Sequence, residues 1–229
     1  MTILERYNTV RENVEKACSQ CERRIDDVKI IAVTKTRTAD EINKVISAGA
    51  SIIGENRVQE FLEKYEYLDK GAEFHLIGQL QSNKVKYIAD KVSLIHSLDR
   101  VSLAEELDKI CQKKDLKEIK TLVEVNIGHE TTKSGVLPEN LSEFLDILIN
   151  FRYIKPIGLM TVAPLDATEL EQNRYFEKMR QLLDIGKSRF GQQFSELSMG
   201  MSRDYMTAIK QGSTMVRIGT ALFGERNYK

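Results

Sequence analysis

The stretch KIIAVTKTRTADE, residues 29–41, contains a complete transition from a strand to a helix. Its four consecutive apolar residues, 30–33, are typical of a strand that is buried on both faces. Thr38 and Glu41 lie three positions apart before a helical pattern, which is the spacing of a capping box at a helix start. Lys35 falls between the two elements, so the sequence places an ammonium group just beyond a buried strand.

The same order of apolar run, cap or turn residue and helical pattern recurs along the chain. The eight apolar runs are IIAVTK, SIIGEN, EFHLIG, VSLIHSLD, TLVEVNI, IKPIGLMT, ELSMGMS and TMVRIG. Thr168 and Glu171 form a further capping box, and Ser82 is placed to cap the helix after the third run. Pro138 is tolerated in the first turn of the helix after the fifth run.

This rhythm predicts the fold class. Strands that alternate with helices form a parallel sheet, so eight units in 229 residues predict an α/β protein with a single closed (β/α)8 barrel of the TIM type. An open doubly wound sheet is the alternative. An extra amphipathic helix is expected at the N-terminus. Because the chain lacks a linker-like tract and only about ten residues follow the eighth strand, Met215 to Gly219, we expect one domain, 1–229, without a second domain.

Composition excludes some classes of function. Lysine plus arginine and aspartate plus glutamate both number 34, so no net positive charge attracts nucleic acid or anionic lipid. The first residues mix charges and contain no apolar core of a signal or membrane anchor. The three cysteines, Cys18, Cys21 and Cys111, then indicate reduced thiols and a cytoplasmic location. His96 and His129 lack partners at metal-ligand spacing, so no metal site is predicted and both are interpreted as structural or exposed.

The last two units are expected to form an anion site. Gly200 and Ser202 in SMGMSRD, and Gly219 and Thr220 in RIGTALFG, are predicted to lie at helix starts. The first N–H groups of a helix have no partner within the helix, and its dipole favours negative charge. Phosphate sites in such barrels commonly follow strands seven and eight, whereas ordinary turns and caps are the alternative.

Two cations stand in or next to apolar strands. Arg217 lies between Val216 and Ile218, and a buried guanidinium needs a ring nitrogen, a carboxylate or a phosphate. A salt bridge that stabilises the barrel is its alternative role. Lys35 would by itself be expected to pair with an acid such as Glu55 or Glu124. A desolvated lysine, however, also captures carbonyl groups as Schiff bases.

Taken together, a lysine, a phosphate site and an arginine that faces a ring fit one kind of ligand. That ligand is a phosphorylated aldehyde with a heteroaromatic nitrogen, which is the chemistry of pyridoxal 5′-phosphate (PLP). An enzyme that forms a Schiff base with a sugar phosphate, without a cofactor, remains an alternative.

Seven motifs resemble one family. In order along the chain they are AVTK, GENRVQE, FHLIGQLQSNK, VEVNIGHETTKSG, GLMT, LSMGMSRDYMTAI and GSTMVRIGTALFG. Together they are similar to the pyridoxal-phosphate homeostasis proteins, which have the barrel of alanine racemase.

The resemblance implies a PLP enzyme fold of type III without its C-terminal β-domain, and PLP bound as a Schiff base to Lys35. It also implies roles at matching positions: Arg217 faces the pyridine nitrogen, Asn56 lies near the ring, and the phosphate is bound by Ser202, Gly219 and Thr220. Four further residues match family motifs, with Lys133 as a candidate release or second site; they are His75, Lys133, Ser198 and Met201.

Little turnover is expected from such a site. An arginine cannot accept a proton from the ring nitrogen and disfavours its protonation, so the cofactor is a weaker electron sink. We expect a protein that carries or buffers PLP and supports vitamin B6 and amino-acid and keto-acid homeostasis. Its partners would be PLP and apo PLP-dependent enzymes, in a monomer or weak homo-oligomer. The alternative is a weak PLP-dependent amino-acid racemase with Lys35 as its single base.

Overall fold

The first strand and helix form where the sequence predicts them. In the computed structural model, which describes residues 1–224, Thr38 Oγ1 accepts the Glu41 N–H and the Glu41 carboxylate accepts the Thr38 N–H. The helix ends at a left-handed Gly49, whose φ is +108°. Thr168 and Glu171 form the same reciprocal cap. The last five residues of the predicted domain, 225–229, lie outside the described residues.

Eight strands and nine helices are described. The strands are β1 (Lys29–Val33), β2 (Ile52–Glu55), β3 (Glu73–Leu76), β4 (Leu94–Leu98), β5 (Ile119–Glu124), β6 (Ile154–Met160), β7 (Glu196–Met201) and β8 (Met215–Ile218). The helices are α1 (Ile3–Ser19), α2 (Ala39–Ser47), α3 (Val58–Tyr65), α4 (Val85–Ile88), α5 (Val101–Lys113), α6 (Leu141–Leu148), α7 (Glu169–Phe190), α8 (Tyr205–Lys210) and α9 (Thr220–Phe223).

The strands close into a parallel barrel in chain order, so the predicted (β/α)8 fold is confirmed. Closure occurs between β1 and β8, where Ile31 lies opposite Arg217 and Ala32 opposite Ile218. This pairing excludes the open doubly wound sheet. The predicted N-terminal helix is α1, which packs against α2, α8 and α9. Within residues 1–224, no helix is both long enough and apolar enough to cross a bilayer.

Apolar side chains pack in two regions. Six buried residues from six different strands form a small separate cluster; they are Ile31, Ile52, Leu94, Leu122, Met160 and Met215. A much larger cluster joins the strands to the surrounding helices. Because parallel strands in a barrel are covered on both faces, this arrangement explains why the sequence shows continuous apolar runs.

Two local predictions about helix starts are wrong. Ser82 does not cap a helix with its side chain; it begins a short 3₁₀ turn that precedes α4. Gly200 lies inside β7, not at a helix start, and its φ is +93°. The pairing of β7 with β8 shifts by one residue between Ser198 and Met201, so Gly200 belongs to a β-bulge.

Candidate functional site at the barrel mouth

Most of the candidate residues follow strands that are neighbours in the barrel. Lys35 lies two residues beyond β1, Asn56 directly follows β2, Ser202 directly follows β7 and Gly219 directly follows β8. Since β7, β8, β1 and β2 are consecutive around the barrel, these residues share one part of its carboxyl-terminal rim. A Cβ atom added to Gly219 would lie 3.5 Å from Val33 Cβ, which shows how closely the ends of β8 and β1 approach.

Lys35 lies in a tight turn between β1 and α2. The turn is closed by the Arg37 N–H, which donates to the Thr34 carbonyl oxygen at 3.1 Å. Thr34 is buried and Lys35 is partly buried. Glu55, an acid that the sequence offers as a partner for Lys35, is bonded to Lys64 at 2.7 Å. That pairing depends on the position of α3, which the sequence pattern does not give.

Arg217 is buried in β8, with 4% of its surface exposed. Nη1 donates to the Ser198 carbonyl oxygen at 2.8 Å and to Ser198 Oγ at 2.5 Å, and Nη2 donates to the Thr161 carbonyl oxygen at 2.7 Å. Burial lowers the pKa of Arg217 to about 10, although the carboxylates of Asp204 and Glu124 act against this effect. The guanidinium is therefore still charged at neutral pH, and its described hydrogen bonds go to uncharged oxygens.

A chain of hydrogen bonds leads from Arg217 through the barrel interior. Ser198 Oγ lies 3.0 Å from His96 Nδ1, and His96 Nε2 lies 3.1 Å from His75 Nδ1. His75 Nε2 in turn lies 3.5 Å from Glu73 Oε2, at the start of β3. The chain thus runs from the cation in β8 to a carboxylate at the opposite end of the barrel.

Hydrogen-bond chemistry fixes the direction of this chain. The Glu73 carboxylate can only accept, so a neutral His75 donates to it through Nε2 and accepts at Nδ1. A neutral His96 then donates through Nε2 to His75 and accepts at Nδ1 from the Ser198 hydroxyl, which itself accepts from Arg217. Burial lowers the pKa of His75 and, more strongly, of His96, so both rings are neutral. The hydrogen bond from His75 lowers the pKa of Glu73 to about 2.

His96 is structural, which is one of the two alternatives that the sequence offers, but its hydrogen-bond partners were not predicted. The structure does not leave this residue exposed or unconnected; it is fully buried and joins His75 to Ser198. One signal could have revealed it, because His96 interrupts an apolar strand in the same way as Arg217 does. His129, by contrast, is exposed and lies 3.1 Å from Glu139, as one of the two sequence alternatives predicts.

The loops after β7 and β8 meet at Ser202. Its Oγ accepts hydrogen bonds from the N–H groups of Gly219 and Ala221, at 3.3 and 3.5 Å. Thr220 is the first residue of α9, between these two amides. Of the residues that the sequence assigns to this site, Gly219 donates its backbone N–H to Ser202, and the second amide belongs to Ala221, which the sequence did not single out.

Met201 and Asp204 shape the loop that carries Ser202. The Met201 N–H donates to Asp204 Oδ1 at 2.6 Å, and the Asp204 N–H donates to the Met201 carbonyl oxygen at 3.1 Å. Met201 also lies opposite Arg217 in the pairing of β7 with β8. These contacts place the loop directly beside the strand that contains the buried guanidinium.

Asn56 offers a polar atom at the end of β2. Its Oδ1 is buried and accepts no hydrogen bond from the described residues. The backbone of Asn56 is packed closely against Gly78, since a Cβ atom added there would lie 2.3 Å from the Asn56 carbonyl oxygen. A buried acceptor of this kind normally has a partner, so the atom indicates a site for a bound donor.

Lys133 lies in a different part of the rim. It belongs to the loop after β5, the strand opposite β1 in the barrel. Its Nζ is 2.5 Å from Glu130 Oε2, and Asn126 Nδ2 donates to the Glu130 carbonyl oxygen at 2.9 Å. The charge of Lys133 is therefore balanced within its own loop.

Sequence and structure comparisons identify the family. Residues 6–227 match the family described as "Alanine racemase, N-terminal domain". A protein of Aquifex aeolicus named "Pyridoxal phosphate homeostasis protein" is 44% identical over 229 residues, which are the whole of both chains. The chain belongs to the pyridoxal phosphate homeostasis protein family. The family member of Escherichia coli K12 is 36% identical, and the alignment covers 96% of this chain and 94% of that protein.

Solved structures agree with this family assignment. PipY of Synechococcus elongatus, crystallised without PLP, is 34% identical, with a TM-score of 0.87, over 97% of this chain and 100% of PipY. PipY with PLP bound has a TM-score of 0.84 at 33% identity, with the same coverage. Alanine racemase of Corynebacterium glutamicum has a TM-score of 0.71 at 16% identity and covers 97% of this chain but 62% of the racemase. This last likeness concerns the barrel fold alone.

Proposed function

We propose that this chain binds PLP at the barrel mouth and carries or buffers it as a Schiff base on Lys35. The observation that carries the proposal is the convergence of the Gly219 and Ala221 amides on the Ser202 oxygen, next to the strand that contains Arg217. These groups can bind an anion, and the adjoining strand, β1, carries the lysine. PipY, a relative of similar length, has been crystallised with PLP.

The residues of the site fit the chemistry of this cofactor. Its aldehyde supplies an electrophile that an amine captures, and Lys35 is the candidate amine. Ser202, Gly219 and Thr220 would hold the phosphate, while Arg217 would face the ring nitrogen. Asn56, whose buried Oδ1 needs a donor, would contact the ring or its substituents.

Other candidate residues would act from behind this first layer. His75 and Ser198 belong to the hydrogen-bond chain that ends at Arg217, so they would support the guanidinium and not the phosphate. Met201 would help to shape the loop that carries Ser202. The whole chain, 1–229, would serve as one cofactor-binding domain.

The buried arginine supports the proposed carrier role. A guanidinium that keeps its charge cannot take a proton from the ring nitrogen and disfavours protonation of that atom. The bound cofactor would therefore withdraw electrons weakly from an attached amino acid. This property suits storage and delivery of PLP, and through them the balance of vitamin B6, amino acids and keto acids, better than rapid catalysis.

An absorbance spectrum of the purified protein with added PLP tests the proposal. We expect a Schiff-base band that borohydride abolishes, with mass spectrometry locating the reduced adduct on Lys35. Lys35→Ala should lose both the band and the adduct, whereas Lys44→Met, which alters an exposed lysine on α2, should keep them. An adduct on another lysine, or no band in the wild-type protein, would refute the assignment.

Delivery is tested with an apo PLP-dependent enzyme. We expect the loaded protein to restore activity faster than the same concentration of free PLP does. Lys133→Ala should reduce this advantage if Lys133 serves release. Equal rates for the loaded protein and free PLP would contradict the carrier role while leaving PLP binding intact.

A further inference from the structure

The ammonium of Lys64 is buried between α3 and the turn that follows β1, with 8% of the residue exposed. Nζ lies 2.7 Å from Glu55 Oε1 and 3.0 Å from Glu60 Oε1. It also donates to the carbonyl oxygens of Thr34 and Arg37, both at 3.2 Å. One ammonium therefore joins β2 and α3 to both ends of the turn.

The turn held in this way is the one that carries Lys35. Its third residue, Thr36, has a φ of +65°, a left-handed conformation that β-branched residues adopt only at a cost. The Thr36 N–H donates to Glu60 Oε1, so the same cluster also binds the strained residue. All the contacts of Lys64 with the turn are to backbone atoms, which means that they hold the path of the chain.

We infer that Lys64 is a positioning residue for Lys35. Lys64 binds the carbonyl oxygens of Thr34 and Arg37, and Glu60 binds the Thr36 N–H. Together they keep Thr36 in the left-handed conformation and fix the position of the Lys35 amine relative to the phosphate site. The inference rests on the proposed function, because it assigns Lys64 a part in forming the Schiff base that the proposal places on Lys35.

The physical reason is one of effective concentration. When the phosphate of PLP is bound at the rim, the aldehyde of the same molecule has a fixed position. The rate of Schiff-base formation then depends on how often the Lys35 amine lies within reach of that aldehyde. Without Lys64, Thr36 would leave the left-handed region, because a threonine populates that region roughly tenfold less than its right-handed or extended conformations. The turn would then spend most of its time in other conformations. Binding of the phosphate, on β7 and β8, would not depend on this step.

A purely structural role for the same cluster predicts something different. A buried ion pair that only stabilises the barrel would, when removed, weaken every property of the site together. A positioning role predicts a selective loss, in which covalent capture slows while non-covalent affinity is unchanged. The two roles can therefore be separated by comparing an aldehyde with a ligand that lacks one.

The experiment uses Lys64→Met and the double variant Lys64→Met/Glu55→Gln. The single variant leaves the buried Glu55 carboxylate without its ammonium partner and could fold poorly for that reason, whereas the double variant removes this carboxylate as well. Stopped-flow absorbance gives the rate of Schiff-base formation with PLP, and calorimetry gives the affinity for pyridoxine 5′-phosphate, which has an alcohol in place of the aldehyde. We expect the rate to fall about tenfold, and the affinity for the alcohol to stay within about twofold. Lys44→Met serves as the matched control and should change neither value.

A third substitution tests the mechanism directly. Thr36→Gly in the Lys64→Met background should recover a large part of the lost rate, because glycine adopts a positive φ readily. Three results would overturn the inference. The first is an unchanged rate of Schiff-base formation in a folded Lys64 variant, and the second is a parallel loss of this rate and of the affinity for pyridoxine 5′-phosphate. The third is a rate that Thr36→Gly does not recover. If the wild-type protein forms no Schiff base at all, the proposed function fails, and this result is distinct from the other three.

Discussion

Replacing His96 with glutamine should reduce the pH dependence of folding. His96 has no exposed surface, and its ring is neutral because burial lowers its pKa well below the usual value. Glutamine does not titrate, yet it can still accept from the Ser198 hydroxyl and donate to His75. The variant therefore removes a proton-binding group from the unfolded chain and keeps the hydrogen bonds of the folded one.

The magnitude follows from linkage between proton binding and folding. A histidine in the unfolded chain has a pKa of about 6.5, so below that pH the unfolded state takes up a proton that folded His96 refuses. The free energy of unfolding then falls as the pH falls, by about 1.4 kcal/mol per pH unit, until the pH reaches the folded-state pKa. Between about pH 7 and about pH 5.5 the loss due to His96 amounts to ~1.3 kcal/mol.

Urea denaturation at these two pH values measures the effect. Wild-type protein should lose ~1.3 kcal/mol more than His96→Gln over this interval. Comparing the two proteins cancels the contributions of other titrating groups to the pH dependence. One of these groups is Glu124, because burial raises its pKa to about 7 and its protonation stabilises the folded state as the pH falls. Equal pH dependence in the wild type and His96→Gln would refute the neutral, buried state of His96.

Three further outcomes are expected. Gly158→Ala should lower the free energy of unfolding by about 3 kcal/mol or more in thermal melts. The reason is that the added Cβ would lie 1.9 Å from the Glu196 carbonyl oxygen in β7. A stability equal to that of the wild type would contradict the close approach of β6 and β7. Ser202→Ala should weaken the affinity for pyridoxine 5′-phosphate by about tenfold in calorimetry, and an unchanged affinity would exclude this hydroxyl from the phosphate site. Carbon-13 NMR should show Glu124 titrating near pH 7. Because this folded-state pKa exceeds that of the unfolded chain, the contribution of Glu124 to stability is present at low pH and is lost as the pH rises through about 7. Glu124→Gln should abolish that loss.

Several features of the protein could be predicted because they depend on neighbouring residues only. The capping boxes at Thr38 and Thr168 are four-residue patterns, and both form as expected. Buried strands reveal themselves by continuous apolar runs, so the eight units and their parallel order follow from the sequence alone. The charges of Lys35 and Arg217 are conspicuous for the same reason, since each interrupts or directly follows such a run.

Other features depend on which parts of the chain become neighbours. The partner of Glu55 is Lys64, because α3 folds back over β2 and brings that ammonium to the carboxylate. His96 became part of the site only when β3, β4 and β7 placed its two nitrogens next to His75 and Ser198. The position of Gly200 in a bulge was equally hidden, since a bulge exists only relative to a paired strand.

The sequence by itself thus determined the eight strand–helix units, their parallel arrangement and the two unusual cations, and it favoured a barrel. The tertiary structure decided that β1 pairs with β8, which closes the barrel and excludes the open sheet. Only the tertiary structure decided how the polar groups are connected, including the link between Lys64 and the Lys35 turn and the chain from Arg217 to Glu73. The physical reason is the range of the interactions. Apolar periodicity and helix caps act over a few residues, whereas a buried charge takes its partners from whatever the closed barrel brings within about 3 Å, however distant in the chain.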